Sequence, residues 1–125
     1  MPIIDHKNLK IVVSIALIND ANKILLSKRP KNKHLAGFWE FPGGKVETGE
    51  VPKIALIREI KEELDININN KCIAPLSFSE FDYKEFQLLL LLYVCRRWEG
   101  EPKSMENNKI IWVKHFTNHT NCIWF

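Results

Sequence analysis

Three glutamates crowd into residues 58–64, which read REIKEEL. In a helix, Glu59 would neighbour both Glu62 and Glu63, and like-charge pairs at these spacings oppose helix formation by about 0.2–0.5 kcal/mol each. A solvated acidic face is one explanation of the pattern. The other is a divalent cation, because hard cations such as Mg²⁺ take carboxylate oxygens together with phosphates and waters. In that case the crowded charges form a metal site.

The preceding segment, residues 42–50, reads PGGKVETGE and offers further ligands. Its glycines and its proline force turns and bring backbone carbonyls and amides to the surface. Lys45 in this loop could face a phosphate, although an isolated loop lysine is usually only solvated. We therefore expect the loop to fold against the start of the helix, beside the carboxylates.

The helix that carries the glutamates is expected to begin near Pro52, because proline suits the first helical position. Ala55 lies on the acidic side of the helix and leaves room for another segment to approach closely. The opposite side is expected to pack on the core through aliphatic residues at helical spacing. These are Ile54, Ile57, Ile60 and Leu64, with Leu56 at the margin.

Strand-like segments surround this helix. Residues 9–18 and 23–29 are separated by the turn-forming NDAN and predict an opening hairpin. Further strands are predicted within residues 72–83, 86–98 and 109–116. One helix among several strands indicates an α/β fold, and the length of 125 residues indicates a single domain spanning residues 1–125.

The composition narrows the classes of function. The apolar fraction of 46% and the charged fraction of 26% are typical of soluble globular proteins. The net charge of +3 suits an anionic partner such as a polyphosphate, but no dense basic run is present to follow a nucleic-acid backbone. The apolar runs at residues 11–18 and 88–95 are shorter than the roughly 20 residues that span a bilayer. Neither a nucleic acid nor a membrane is therefore expected as a partner.

The number and spacing of the cysteines indicate the cellular compartment. Cys72, Cys95 and Cys122 are odd in number and show neither disulfide-framework nor zinc-site spacing. Reduced thiols in a cytoplasm fit this pattern best, because disulfides are rare there. We therefore expect a cytoplasmic protein.

Residues 44–66 read GKVETGEVPKIALIREIKEELDI and resemble the Nudix box, G-x5-E-x7-R-E-U-x-E-E-x-G-U, in which U is aliphatic. Asp65 stands where the pattern has glycine, at a position past the helix end that requires a left-handed conformation. Aspartate tolerates that conformation better than most residues, so we expect a small stability cost and intact chemistry. The matching positions are Gly44, Glu50, Arg58, Glu59, Ile60, Glu62, Glu63 and Ile66.

Two flanking segments extend the resemblance to roughly residues 9–113. GFWEFPGGKVETGE at residues 37–50 and RRWEGEP at residues 96–102 look like the MutT-type branch of nucleoside triphosphate pyrophosphohydrolases. The resemblance implies an α/β/α sandwich with a mixed sheet. The closing HFTNHTNCIWF is too short and aperiodic for the family's C-terminal helix, which we expect to be shortened or missing. Asn118 and Asn121 do not match the family's base-reading asparagine.

The resemblance also implies a chemistry, in which Mg²⁺ or Mn²⁺ bridges the enzyme to a triphosphate and water attacks the β-phosphorus. Arg58 would orient the glutamates, and either Glu59 or Glu106 would act as the base. Glu50 would support the loop or the outer shell of the metal, or form a plain surface ion pair. By position, Arg29 and Phe41 would lie at the nucleotide, although Phe41 could equally be an ordinary core residue. The implied metal ligands are the Gly43 carbonyl, Glu59, Glu62, Glu63 and Glu106.

The favoured function is therefore hydrolysis of a nucleoside triphosphate, such as oxidised 8-oxo-dGTP, to the monophosphate and pyrophosphate. CTP or another nucleoside triphosphate is the alternative substrate, and a catalytically impaired nucleotide-binding module is the alternative class. Hydrolysis of the 5′ triphosphate of RNA is disfavoured by the missing basic stripe. The expected assembly is a monomer or a weak dimer, because an uncovered apolar sheet face would need the tail or a second subunit.

Overall fold

The computed structural model describes residues 8–29, 37–106 and 108–114. Within them lie two β-sheets, one α-helix and a short 3₁₀ turn at Asn70–Cys72. The strands are β1 Asn8–Leu17, β2 Ile24–Lys28, β3 Trp39–Glu40, β4 Gly43–Lys45, β5 Ile73–Asp82, β6 Phe86–Cys95 and β7 Ile110–Val113, and the helix is α1 Pro52–Leu64.

The larger sheet has the order β4-β1-β6-β5. Its two central strands, β1 and β6, pair in parallel from Asn8 opposite Phe86 to Leu17 opposite Cys95. Both are aliphatic runs, which is typical of strands that are covered on both faces. The outer strands β4 and β5 pair antiparallel, so the expected α/β fold with a mixed sheet is confirmed.

The predicted opening hairpin is wrong. The expected turn does form, since the Asn22 N–H donates to the Asn19 carbonyl at 2.9 Å, but only the bridge between Ile18 and Ile24 joins the two strands. β2 instead pairs with β3 and β7 in a separate antiparallel sheet. β6 pairs along the whole of one edge of β1, and β4 pairs with the other edge at residues 12–14, so the sheet around β1 is built from strands that come later in the chain than β2.

Helix α1 begins at Pro52, as expected, and ends at Leu64. Asp65 follows with φ 55° and ψ 40°, the left-handed conformation that was predicted for it, and its N–H donates to the Lys61 carbonyl at 3.1 Å. The Lys61 Nζ also lies 2.9 Å from the Asp65 carboxylate. The left-handed residue closes the helix, because the backbone N–H just beyond the last turn satisfies a terminal carbonyl.

The predicted core stripe of α1 is confirmed except at Ile54. Leu56, Ile60 and Leu64 are buried and Ile57 is partly buried against the same core, whereas Ile54 is 52% exposed. Ala55 is completely buried, so another segment approaches the helix closely there, as expected. The helix therefore packs on the sheet with a face that is turned toward the acidic residues. The error arose because apolar periodicity counts only apolar side chains, whereas this helix buries two carboxylates together with its core face.

The two faces of β1 have different surroundings. Val13, Ile15 and Leu17 belong to the core cluster that includes the buried residues of α1. Ala16 belongs to a second cluster, with Phe41 among its members. Since successive side chains of a strand point to opposite faces, Val12 and Ser14 share the second face with Ala16.

Part of the sheet is open in the described residues. On the edge strand β5, Leu76 and Phe78 are 57% and 63% exposed. The tail that was considered as a cover for the sheet, with Asn118 and Asn121, lies outside the described residues. No helix among those residues has the length and apolar character needed to cross a bilayer.

Candidate metal and nucleotide site

A cleft of about 500 Å³ opens beside β1, β4 and α1. Its lining combines ionisable side chains with the apolar Val12, Phe41 and Leu88. Of the residues predicted for the site, the structure brings seven to this cleft. They are Arg29, Phe41, Gly43, Lys45, Glu59, Glu63 and Glu106.

The two glycines of β4 let the helix carboxylates reach the cleft. A side chain on Gly44 would overlap the carboxylate of Glu59, and one on Gly43 would overlap the backbone of Val13 and Ser14. The Gly43 N–H donates to Glu63 Oε2 at 3.3 Å. The predicted fold of the loop against the carboxylates is therefore confirmed. A side chain at Gly43 is excluded by backbone atoms, whereas one at Gly44 would have to displace the Glu59 carboxylate.

The surroundings in the cleft disfavour the ionised form of two of its glutamates. Burial, together with the charges of Glu106 and Glu59 and against the lowering effect of the Gly43 N–H, raises the pKa of Glu63 to about 8. Burial also raises the pKa of Glu59, against the lowering effect of the Arg58 guanidinium. Carboxylates held partly dehydrated beside like charges gain stability when a cation binds between them.

Arg58 organises one side of this cluster. Its Nε and Nη2 donate to both oxygens of Glu50 at 2.7 and 2.9 Å, and its Nη1 donates to Glu59 Oε1 at 2.9 Å. Nη2 also donates to the Lys45 carbonyl at 3.1 Å. Hydrogen bonds from Arg58 hold the pKa of Glu50 at about 2, and the same bond to Glu50 raises the pKa of Arg58. The guanidinium therefore ties the loop to the helix and fixes one oxygen of Glu59.

Glu106 enters from a loop that is anchored on the end of α1. The Met105 N–H donates to the Glu63 carbonyl at 2.9 Å, and the Lys103 N–H donates to the Leu64 carbonyl at 3.1 Å. These carbonyls belong to the last turn of the helix, which has no intrahelical donors for them. The anchor brings Glu106 to the lining of the cleft and near enough to raise the pKa of both Glu59 and Glu63.

The three residues predicted at the nucleotide have different settings. Phe41 is 3% exposed and belongs to the second core cluster, and it also lines the cleft. Its position therefore fits a core residue and a residue at the nucleotide alike. Arg29 Nη1 lies 3.0 Å from Glu40 Oε2. Lys45 is exposed at the end of β4 and lines the cleft. An aromatic surface and two cations in one cleft suit a base and a phosphate chain.

Glu62 stands apart from the other predicted ligands. Its side chain is 57% exposed and lies 3.5 Å from Arg58 Nη1, and it is not part of the cleft lining. Its role as a metal ligand stays a prediction. The difference follows from the rotation of α1, which turns Glu59 and Glu63 inward.

Several lining residues were missed in the sequence: Ser14, Ser27, Glu40, Glu47 and Asn108. Glu40 carried no signal of its own, because its contact with Arg29 depends on the pairing of β2 with β3. Ser14 did carry one, as the single polar residue in the apolar run IVVSIAL of β1.

The donor chemistry of the cleft fits a hard divalent cation. The oxygens of Glu59, Glu63 and Glu106 are the ligand type that Mg²⁺ and Mn²⁺ prefer, and Glu63 ionises with difficulty in the absence of a cation. No group of three or more histidine, cysteine, aspartate or glutamate side chains in residues 8–29, 37–106 and 108–114 lies in an arrangement that could hold a metal ion. Mg²⁺ commonly completes its shell with water and substrate phosphates, which suits this partial set of carboxylates.

The chain as a whole is similar to known proteins. A model of the NUDIX domain matches residues 13–119. An 8-oxo-dGTP diphosphatase of Escherichia coli K12 is 37% identical over 112 residues, which cover 86% of this chain and 81% of that protein. A CTP pyrophosphohydrolase of the same organism is 52% identical over 56 residues, which cover 45% of this chain and 42% of that protein.

A solved structure has a similar fold. The crystal structure of a MutT NUDIX hydrolase from Burkholderia pseudomallei superposes with a TM-score of 0.76 at 26% identity, covering 92% of this chain and 94% of that one. The chain therefore belongs to the Nudix hydrolase family. Within the family, its similarity to MutT proteins confirms the expected branch.

Proposed function

We propose that this chain is a Mg²⁺-dependent pyrophosphohydrolase, which converts a nucleoside triphosphate and water into the nucleoside monophosphate and pyrophosphate. The observation that carries the proposal is the convergence of Glu59, Glu63 and Glu106 in one cleft, with glycines at the contact points of the first two. Carboxylates that repel one another in a partly dehydrated cleft are of use when a cation and its phosphate ligands bind there.

In this proposal the ion is held by the Gly43 carbonyl, Glu59, Glu63 and Glu106, with Glu62 at the margin, and Mn²⁺ can replace Mg²⁺. When bound, such an ion neutralises charge on phosphoryl oxygens and lowers the pKa of a coordinated water. The phosphate chain would lie between the carboxylate cluster and Lys45, with Arg29 as a second cation. These residues hold the substrate in line with the attacking water.

The protein's own residues then handle the proton. Glu59 or Glu106 accepts the proton of the attacking water at a carboxylate oxygen, as a general base. Arg58 keeps one oxygen of Glu59 in place through the 2.9 Å bond from Nη1, so that the other oxygen is free to reach the water. With attack at the β-phosphorus, the nucleoside monophosphate leaves with the bridging oxygen and the electrons of the broken anhydride bond, and the oxygen of the water stays in the pyrophosphate.

The proposed physiological substrate is an oxidised nucleotide such as 8-oxo-dGTP. Support comes from the 8-oxo-dGTP diphosphatase relative, which aligns with most of this chain. CTP is the second candidate, because the stretch shared with the CTP pyrophosphohydrolase has the higher identity, 52%. We further propose that residues 1–125 act as one domain on free nucleotides in the cytoplasm, as a monomer or weak dimer, without a nucleic-acid or membrane partner.

A panel of 8-oxo-dGTP, dGTP, CTP and 5-methyl-dCTP with Mg²⁺ tests the proposal. Pyrophosphate release by the wild-type protein is expected, with a loss of at least about 100-fold in kcat for Glu59→Gln. Glu80→Gln is the matched control, because Glu80 is an exposed glutamate on β5, away from the cleft lining. Release from none of the nucleotides would favour the impaired binding module, and equal release by wild type and Glu59→Gln would remove Glu59 from the mechanism.

A further inference from the structure

The hydroxyl of Ser14 has no partner in the part of the chain that the structure describes. Ser14 is 1% exposed, and its Oγ is the one buried side-chain nitrogen or oxygen atom of those residues without a hydrogen bond. Buried polar side-chain atoms are nearly always paired, so an exception calls for a cause. Ser14 also lines the cleft described above, which supplies a place for the missing partner.

The position of Ser14 in β1 makes the hydroxyl conspicuous. It shares its strand face with Val12 and Ala16, and packing alone would be satisfied there by an alanine, which has no atom to leave unpaired. Neither of its neighbours on the adjacent strands has a polar side chain that could bond the hydroxyl. Ser14 lies opposite Gly43 of β4, which has no side chain, and opposite Leu92 of β6, whose side chain is apolar.

The surroundings indicate which part of a nucleotide would reach this hydroxyl. The apolar lining of the cleft is made by Val12, Phe41 and Leu88, and Val12 is the neighbour of Ser14 on the same strand face. A flat, uncharged ring suits such a surface, whereas phosphates suit Lys45 and the cation site. A nucleobase has donors and acceptors on its edge, and a hydroxyl can serve either kind.

We propose that Ser14 is a specificity-determining residue, whose hydroxyl hydrogen-bonds the edge of the nucleobase at the floor of the cleft. The inference rests on the proposed function only in that the ligand is a nucleotide. In the nucleotide-free protein the hydroxyl stays unpaired, and the base supplies the missing bond. Bases that present the wrong group at that point leave the hydroxyl unsatisfied and bind more weakly.

The test compares Ser14→Ala with the wild-type protein across the four nucleoside triphosphates. For the preferred base, KM is expected to rise by about 3- to 10-fold with kcat nearly unchanged, because a contact present equally in ground and transition state is lost. For the poorest base the change in KM is expected to be smaller than about 2-fold. Ser79→Ala, at an exposed serine of β5, is the matched control and should change neither constant.

Two further measurements separate this inference from other causes. The thermal midpoint of nucleotide-free Ser14→Ala should equal or exceed that of the wild type, because no hydrogen bond is lost in that state. A lower midpoint would show that the hydroxyl has a structural role and would overturn the proposal. A KM change that is equal for all bases, or absent, would overturn it as well.

Binding of the nucleoside monophosphates by calorimetry requires no turnover. If hydrolysis is absent but Ser14→Ala loses monophosphate affinity in a base-dependent manner, the proposed function fails and the role of Ser14 stands. If the wild type hydrolyses nucleotides and the base preference of Ser14→Ala is unchanged, the proposed function stands and the role proposed for Ser14 fails.

Discussion

The carboxylate of Glu59 occupies the space into which a side chain on Gly44 would project. The contact joins β4 to α1 at the point where the loop and the helix enter the cleft. Glycine at this position is therefore a steric requirement of the carboxylate arrangement. It is unrelated to left-handed backbone, because Gly44 is not among the glycines with positive φ.

Gly44→Ala tests this requirement. The new methyl group should push the Glu59 carboxylate from its place, and displacement of a reacting group by about 1 Å costs on the order of 100-fold in rate. We expect kcat to fall by about that factor while the far-ultraviolet circular dichroism is preserved. Thr48→Ala, at an exposed position of the same loop, is the control. A Gly44→Ala variant with wild-type kcat would show that Glu59 can move without loss.

The local part of the site could be read from the sequence, because its residues lie close together in the chain. The helix bounds, the left-handed Asp65 and the approach of the glycine loop all follow from short-range rules of capping and backbone freedom. The grouping of Glu59 and Glu63 needs only the helical repeat. Nothing in these features depends on how the sheets are arranged.

The remaining features depend on long-range pairing. The hairpin prediction failed because β1 pairs with β6, and its other edge pairs with β4. The exposure of Ile54 was not predicted, because the helix is rotated so that Glu63 lies inward and accepts a hydrogen bond from the Gly43 N–H. Local hydropathy predicts neither the pairing of the strands nor the rotation of the helix. The hydroxyl of Ser14 could have been noted as a polar interruption of an apolar strand, but its unpaired state is visible only in three dimensions.

Glu63→Gln should stabilise the metal-free protein. The folded-state pKa of Glu63 is about 8 and its ordinary value is 4.5, so the carboxyl favours folding when protonated, and this contribution is lost as the pH rises from about 4.5 through about 8. The neutral amide avoids that loss. At about pH 8 and without metal, we expect a gain of at least about 1 kcal/mol, or about 3–6 °C in Tm.

Thermal unfolding of both proteins between about pH 5 and pH 8 measures this difference. Glu62→Gln is the matched control, because its side chain is on the same helix and 57% exposed, so its effect on Tm should be small. The prediction fails if Glu63→Gln is less stable than the wild type at the upper end of the range, or if the Tm difference between them does not grow with pH.

Metal binding should depend on pH through the same carboxyl group. A cation needs Glu63 in its ionised form, so Mg²⁺ and Mn²⁺ affinity should rise with pH toward the pKa of about 8. We expect the apparent Kd for Mn²⁺ to be at least about 10-fold weaker at pH 6 than at pH 8. Calorimetric titration gives both constants, and the Glu63→Gln variant should lose most of the affinity together with its pH dependence. If neither Mg²⁺ nor Mn²⁺ binds saturably, with or without nucleotide, the metal site itself is contradicted.

Arg58→Lys separates positioning from charge. The guanidinium holds both oxygens of Glu50 and one oxygen of Glu59 at the same time, and a single ammonium group cannot reproduce this fork. Because the charge is kept, a loss would come from the changed positions of Glu59 and of the loop that Arg58 ties to the helix. We expect kcat to fall by about 10- to 100-fold with a change in KM of less than about 3-fold. Arg96→Lys is the control, since Arg96 is exposed and makes a long 3.4 Å bond to Asn22. A variant whose KM rises while its kcat is kept would show that Arg58 contacts the substrate directly, and its bonds to Glu50 and Glu59 would then be secondary to catalysis.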